Sequence, residues 1–205
     1  MYERYIKRIL DILIALLGLL LSFWIFIIIY ILIKVDDPGP VFFTQRRVGK
    51  HKEYFQLYKF RTMKMATPHD MPTHLLEHPE EYITRVGRFL RKSSLDEIPQ
   101  LINILKGDMS IIGPRPALWN QDDLVEERDK YGANDIRPGL SGLAQISGRD
   151  ELDIEEKARL DGVYTKQVSL RMDFKCFFGT ILPTLRGDGV IEGTHADLHE
   201  MERKE

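Results

Sequence analysis

Residues 12–33 read ILIALLGLLLSFWIFIIIYILI, a run without a single charged side chain. At about 1.5 Å of rise per residue, a helix of this length measures roughly 33 Å, enough to cross the hydrocarbon core of a bilayer. A secretory signal peptide would have a shorter apolar region, about 7 to 15 residues, followed by a small-residue cleavage site. The run therefore predicts a membrane-inserted helix within residues 1–36.

Basic residues flank the apolar run on both sides: Arg4, Lys7 and Arg8 before it, and Lys34, Arg46, Arg47, Lys50 and Lys52 after it. Because basic flanks stay on the cytoplasmic side, neither end is favoured for export. A re-entrant helix, which enters and leaves the same leaflet, satisfies both flanks. Gly18 and Ser22 are the residues that ease the necessary bend, and no proline is present there.

The composition bounds the class of protein. With 205 residues, the chain is long enough for one domain of ordinary size and an anchor. Its net charge of −2 gives no overall basic field, which argues against nucleic-acid binding. The single cysteine, Cys176, excludes an intramolecular disulfide framework and fits a domain in a reducing compartment. It lies in an apolar helical pattern, so we expect it in the core.

Beyond the apolar run, the pattern changes to short strands and amphipathic helices. Residues 41–45 and 54–60, rich in aromatic and branched side chains, are typical of strands. Residues 94–106 and 170–185 carry apolar side chains at helical spacing. The later helix either packs on the core or lies in the membrane interface, and the pattern favours neither. We predict an α/β fold, mostly helical with short strands, over residues 37–190, followed by a charged tail over 191–205.

Asp96 and Glu97 stand at the start of the predicted helix over 94–106. One interpretation is structural: Ser94 and Glu97 have the spacing of a capping box, and Asp96 suits a first helical turn. The other is catalytic, because a helix start and nearby arginines bind phosphate, and Mg²⁺ can bridge carboxylates to phosphate oxygens. One acid could then hold the metal while the other attacks phosphorus. The residues alone leave both interpretations open.

Three arginines lie in turns rich in glycine and proline: Arg115 in GPRP, Arg137 in RPG and Arg149 in SGR. Rigid turns of this kind can aim guanidinium groups at a diphosphate. We therefore predict that they bind an anion near the acidic pair. The chain has no Walker-type loop and no dinucleotide fingerprint, which argues against ATP and NAD sites of those kinds.

An ordered set of motifs runs through most of the chain: Lys59 to Met63 (KFRTM), Ser94 to Asn103 (SLDEIPQLIN), Lys106 to Ser110 (KGDMS), Gly113 to Pro116 (GPRP), Arg137 to Gly142 (RPGLSG) and Gly148-Arg149. With these motifs over about residues 2–190, the chain resembles the bacterial sugar transferase family, the small monotopic phosphoglycosyl transferases. The resemblance implies transfer of a sugar-1-phosphate from a UDP-sugar to undecaprenyl phosphate, releasing UMP, as the first membrane step of surface glycan synthesis. It also implies a re-entrant helix in the inner membrane and a catalytic domain on the cytoplasmic face.

The resemblance also implies roles for individual residues. Matched by motif, Asp96 is the expected nucleophile, which forms a covalent phosphosugar intermediate, and Glu97 is the expected Mg²⁺ ligand. The residues expected to hold phosphates or lie near the nucleotide are Lys59, Arg91, Arg115, Arg149 and Asp161. Two other interpretations remain: a single-step transferase in which Asp96 only binds metal, and a nucleotide-sugar-binding scaffold that has lost catalysis.

The chain departs from the family pattern at two positions. Phe23 follows Ser22 where relatives commonly have proline, so the expected proline break in the membrane helix is missing. Leu143 stands where relatives often have tryptophan, in a segment expected to affect sugar or lipid contacts. The resemblance does not identify the sugar, the oligomeric state or any downstream glycosyltransferase partner.

Overall fold

A computed structural model describes residues 2–67, 79–148 and 152–186. The helices are α1 (Lys7–Asp36), α2 (Pro79–Tyr82), α3 (Arg85–Lys92), α4 (Gln100–Lys106), α5 (Asp122–Asp129), α6 (Leu143–Ser147), α7 (Ile154–Lys166) and α8 (Leu170–Arg186). The strands are β1 (Phe42–Val48), β2 (Tyr54–Phe60), β3 (Ser110–Ile112) and β4 (Gly139–Ser141). The fold is thus mostly helical with a few short strands, consistent with the predicted class. Arg149 and the predicted tail over 191–205 lie outside the described residues.

The four strands form two small sheets. Strands β1 and β2 are an antiparallel hairpin, in which Phe42 pairs with Phe60 and Val48 with Tyr54. The prediction for 54–60 is confirmed, whereas the first strand runs on past residue 45 through two arginines. Arg46 remains favourable in the strand because its guanidinium lies over the Tyr54 ring, 3.8 Å from the centroid. Strands β3 and β4 pair in parallel.

Helix α1 is attached to the rest of the protein at both ends. Near its start, Lys7 Nζ lies 2.7 Å from Asp173 Oδ2 of α8. At its end, the Asp36 carboxylate accepts a hydrogen bond from Val86 N of α3, at 2.9 Å. Between these points Ala15 is fully buried in the main core. The helix therefore packs along the domain instead of standing apart from it.

The middle of α1 stays helical through Gly18 and Ser22. Gly18 faces Leu101 of α4 so closely that an added Cβ would lie 2.9 Å from Leu101 Cδ1. Ser22 Oγ donates a hydrogen bond to Gly18 O at 2.6 Å, a back-bonding contact that often bends helices. The re-entrant bend at these two residues stays a prediction.

The outward side of α1 is apolar and exposed. Among the described residues, one helix, Tyr2–Asp36, is long and apolar enough to cross a membrane by length and composition. Its most exposed large apolar side chains include Leu20, Leu21, Trp24 and Val35. A contiguous apolar surface of this size marks contact with a membrane or a partner.

Helix α8 packs on the core with one face, and its place in the membrane interface stays a prediction. Cys176 is fully buried in the main core, as predicted, and burial raises the pKa of its thiol to about 11. Phe174 and Phe178 are exposed and stack on each other. Leu143, the residue that replaces tryptophan, is also buried in the core. Leucine in place of tryptophan at this position therefore changes the packing of the core. An effect on sugar or lipid contacts stays a prediction.

Asn103 of α4 joins this helix to strand β2. It is fully buried, its Nδ2 donates to Gln56 O at 2.7 Å, and its Oδ1 accepts from Tyr58 N at 3.0 Å. Since Lys59 follows directly in β2 and the acidic pair precedes α4, this side chain fixes the position of the lysine relative to the two acids.

Candidate active site

The acidic pair lies in a tight turn before α4. Leu95–Glu97 form a single 3₁₀ turn, and α4 begins only at Gln100, after Pro99. Ser94 has a φ of 57°, in the left-handed region, which costs of order 1–3 kcal/mol for a residue other than glycine. Such strain is common at functional sites.

The predicted capping box is wrong. Ser94 makes no side-chain cap hydrogen bond, and Glu97 N instead donates to the backbone carbonyl of Ser94 at 3.2 Å. The left-handed backbone of Ser94 has replaced the extended conformation that a capping residue needs. Helix capping therefore does not explain the acid at position 97.

Glu97 is bound by two cations on one oxygen. Lys59 Nζ lies 2.6 Å and Arg115 Nη2 lies 3.1 Å from Glu97 Oε1. Burial by itself would raise the pKa of Glu97, but the charges and hydrogen bonds of Lys59 and Arg115 outweigh it and lower that pKa well below its usual range. The side chain is therefore a carboxylate at neutral pH.

Asp96 has the opposite environment. It is buried, and its nearest cation, Lys59 Nζ, lies 3.7 Å from Oδ2, too far for a hydrogen bond. Burial raises the pKa of Asp96, and the Lys59 charge partly offsets this. Two adjacent carboxyl groups thus have pKa values that move in opposite directions, an arrangement typical of acids with different chemical roles.

The two carboxyl groups leave oxygens available to a ligand. Both cations on Glu97 bind Oε1, so Oε2 has no partner among the described residues. Asp96 likewise accepts no side-chain hydrogen bond within that part of the chain. Mg²⁺ prefers one or two carboxylates together with phosphate oxygens and water. These carboxylate oxygens fit Mg²⁺. Among the described residues, no group of three or more His, Cys, Asp or Glu side chains is arranged to hold a metal ion by itself.

A buried ion pair between Arg128 and Asp161 contacts the backbone of Arg115. Arg128 Nη2 donates to Arg115 O at 2.9 Å and lies 2.6 Å from Asp161 Oδ2. Asp161 is 1% exposed. It therefore contacts the site through Arg128 and the backbone of Arg115, and its expected place beside the nucleotide stays a prediction.

The GPRP and RPG turns meet through their backbones. Gly113 N donates to Ser141 O at 2.7 Å, and Gly139 N donates to Pro114 O at 2.8 Å. A Cβ at Gly139 would come within 2.1 Å of Gly113 N, so glycine is needed for this approach. The contact fixes the start of the loop that carries Arg115.

The structure brings some of the predicted phosphate-binding residues together and separates others. Lys59 and Arg115 meet at Glu97. Arg91, whose Nε donates to Thr62 Oγ1 at 2.9 Å, is close enough to help stabilise the Asp96 carboxylate. Arg137 instead donates from Nε to Gly107 O at 2.8 Å, at the opposite end of α4 from the acidic pair.

Sequence reasoning missed Arg47, which it counted only as a flanking charge. Its Nη1 donates to Pro116 O at 3.0 Å, next to Arg115. Burial and then the Arg115 charge lower the pKa of Arg47 to about 10, against the opposing effect of Glu97. Arg47 lies in strand β1, which ends beside the GPRP turn, and a longer predicted strand would have included it. The strand was instead predicted to end at residue 45.

Comparison with known proteins identifies the family of the chain. The family model described as bacterial sugar transferase matches residues 2–187. The chain is 37% identical over 203 residues to the undecaprenyl-phosphate galactose phosphotransferase of Salmonella typhimurium, covering 91% of this chain and 42% of that protein. It is 37% identical over 186 residues to the UDP-glucose:undecaprenyl-phosphate glucose-1-phosphate transferase of Escherichia coli, covering 87% of this chain and 40% of that protein.

A shorter relative is covered almost completely. The chain is 37% identical over 191 residues to the uncharacterized sugar transferase EpsL of Bacillus subtilis, covering 93% of this chain and 92% of that protein. It spans about two fifths of the Salmonella and Escherichia relatives, so its match to them concerns one part of those proteins. With nearly all of its described residues inside the family match, the chain belongs to the bacterial sugar transferase family.

Proposed function

We propose that the protein transfers a sugar-1-phosphate from a UDP-sugar to undecaprenyl phosphate and releases UMP. The observation that carries the proposal is the pair of adjacent carboxyl groups in opposite environments, with Lys59 and Arg115 beside them. The relatives named for undecaprenyl-phosphate sugar phosphotransferase activity support the same reaction class. The apolar outer side of α1 suits an enzyme whose acceptor is a membrane lipid.

The reaction proceeds in two displacements at one phosphorus atom. The Asp96 carboxylate attacks the β-phosphorus of the UDP-sugar, a bond forms from its oxygen to phosphorus, and the bond to the bridging oxygen breaks with its electron pair leaving on UMP. A phosphate oxygen of undecaprenyl phosphate then attacks the same phosphorus and displaces Asp96 as a carboxylate. Such covalent catalysis lets the soluble donor leave before the bulky lipid acceptor binds.

The other side chains position the reacting groups and balance charge. Because Glu97 is ionised at neutral pH, its carboxylate pairs with Lys59 and holds this lysine next to Asp96. Arg115 and Lys59 are placed to attract the diphosphate of the donor. We propose that Glu97, through Oε2, would also hold Mg²⁺, which when bound neutralises phosphate charge.

The activity is tested by measuring UMP release from a panel of UDP-sugars in the presence of undecaprenyl phosphate and Mg²⁺. We expect release with at least one sugar, and the same reaction should form a lipid-linked diphosphosugar in equal amount. Omission of undecaprenyl phosphate should limit release to about one equivalent per enzyme. If no UDP-sugar of a broad panel gave UMP release, although the protein still bound a UDP-sugar, the result would instead support a binding scaffold.

We also propose that α1 is re-entrant and that both of its ends lie on the cytoplasmic face of the inner membrane. Its start contacts α8 through Asp173, its end contacts α3 through Val86, and both flanks are basic. Single cysteines at Glu3 and His51, in a protein whose Cys176 is buried, should react with a membrane-impermeant thiol reagent from the same side. Labelling from opposite sides would show a spanning helix.

A further inference from the structure

A cavity of about 430 Å³, lined by basic and apolar side chains, lies at the N-terminal end of α1. Its lining includes Arg4, Lys7, Arg8, Lys50 and Arg137. Arg137 donates to the carbonyl of Gly107, the residue that ends α4, so the cavity is separated from the acidic pair by the length of that helix. Arg137, the arginine of the RPG motif, therefore lines this cavity and not the site around the acidic pair.

Two of the lining cations are already used by the protein. Lys7 is paired with Asp173 at 2.7 Å. Arg8 donates to Ile104 O at 2.6 Å and to Leu105 O at 3.0 Å, which satisfies carbonyls at the end of α4. Their role in the cavity wall is structural.

Three cations remain to act on a ligand. Neither Arg4, whose guanidinium lies over the Tyr5 ring, nor Lys50 has an ion-pair partner among the described residues, and Arg137 uses only its Nε. The acids in the lining are Glu3 and Asp11. Asp11 is occupied, because its Oδ1 accepts from Ser110 Oγ at 3.0 Å and from Ile111 N at 2.9 Å. The cavity therefore has an excess of positive charge facing its interior.

Exposed apolar side chains lie near the cavity in the chain. Tyr5 and Ile9, each 57% exposed, directly follow the lining residues Arg4 and Arg8, and Leu170 and Phe174 are exposed on α8, whose Asp173 pairs with the lining residue Lys7. Tyr2 Oη donates to Asp173 Oδ2 at 2.7 Å, so the starts of these two helices are fixed side by side. A basic cavity close to exposed apolar side chains of two helices is complementary to an anionic head group with acyl chains attached.

We infer that this cavity binds the phosphate head group of an anionic phospholipid, with the acyl chains lying against the exposed faces of α1 and α8. The phosphate would accept hydrogen bonds from Arg137 and charge-assisted contacts from Arg4 and Lys50. The site is independent of the acidic pair, and its lipid is a bound neighbour and not the acceptor of the reaction.

The test measures binding of short-chain phosphatidylglycerol and phosphatidylcholine to the full chain in detergent, without UDP-sugar. The informative variant is Arg4→Gln with Lys50→Gln, since neither side chain donates a hydrogen bond to another of the described residues. The matched control is Lys130→Gln with Arg159→Gln, which removes two exposed cations elsewhere. Each cation near a lipid phosphate strengthens binding several-fold, so the Arg4 and Lys50 variant should bind phosphatidylglycerol at least about tenfold more weakly.

The inference requires a preference for phosphatidylglycerol over phosphatidylcholine in the wild type and in the control. Equal binding of the two lipids would overturn it in favour of apolar attachment of the acyl chains alone. Equal weakening in both double variants would overturn it in favour of unspecific charge attraction. Competition by inorganic phosphate at the same concentration as the lipid would overturn the lipid assignment and show a soluble-anion site. None of these outcomes depends on transferase activity, so they are separate from the test of the proposed function.

Discussion

Asp96→Asn should reduce UMP release by at least about a thousandfold, as removal of a covalent nucleophile does in other enzymes. Asparagine has nearly the same shape as aspartate but cannot attack phosphorus as a carboxylate. The fold should tolerate the change, because Asp96 accepts no hydrogen bond from the described residues and burial already raises its pKa. We therefore expect a melting temperature equal to or above that of the wild type.

The control for this variant is Asp135→Asn, which changes an exposed acid far along the chain. It should retain full activity. Mass spectrometry of the wild type with UDP-sugar, without lipid acceptor, should show a phosphosugar adduct that Asp96→Asn lacks. Substantial turnover by Asp96→Asn, or no adduct in an active wild type, would favour the single-step interpretation, in which Asp96 only binds metal.

As the proposed nucleophile, Asp96 should set the acidic limb of the pH profile. The carboxylate is the reactive form, so kcat/KM falls as pH falls through the pKa of Asp96. Because burial raises this pKa, the limb should lie above the value of about 3.9 for a free aspartate. Lys59→Met removes the charge that lowers the Asp96 pKa, so the limb should move to higher pH. A limb that stays in place or moves to lower pH would contradict this account.

Arg128→Met should lower the free energy of unfolding by about 3–5 kcal/mol, because it leaves the buried Asp161 carboxylate without a partner. Thermal unfolding in detergent measures this as a large fall in melting temperature. Arg159→Met is the matched control. Its ion pair with Glu156 lies on the same helix, α7, but is exposed, and its loss should cost at most about 1 kcal/mol.

A second variant separates charge burial from simple loss of packing. Arg128→Met combined with Asp161→Leu removes both charges, and replacing a whole buried pair with apolar side chains is often neutral. It should recover most of the lost stability. It should not recover full activity, because Arg115 O still lacks the hydrogen bond from Arg128. Equal stability of the single and double variants would show that the pair does not act through charge.

The local order of residues was enough to predict the hairpin, the acidic pair and the presence of basic groups around it. Lys59 and Arg115, which the resemblance implied as phosphate-binding residues, lie at Glu97, and their role towards phosphate stays a prediction. The predicted helix start at Ser94 was wrong, because α4 starts only after Pro99. The left-handed backbone of Ser94 cannot be inferred from helical spacing.

Contacts between distant residues were beyond prediction from a single sequence. Asp161 and Arg128 are separated by 33 positions, and no local pattern pairs them. The RPG and GPRP turns were expected to bring their arginines together, but they meet through glycine backbones. The Arg137 side chain consequently points to the other end of α4, and its position depends on how the two turns stack.

The packing of α1 against α4 also sets the height of the acidic pair along the apolar helix. Since Gly18 lies against Leu101, only a few residues after the acidic pair, this height is fixed by side-chain contact and not by a flexible linker. One residue inserted before Gly18 would turn the preceding part of the helix by about 100°. The start of α1 would then lose the contact between Lys7 and Asp173, whereas the acidic pair would keep its height relative to the rest of the helix.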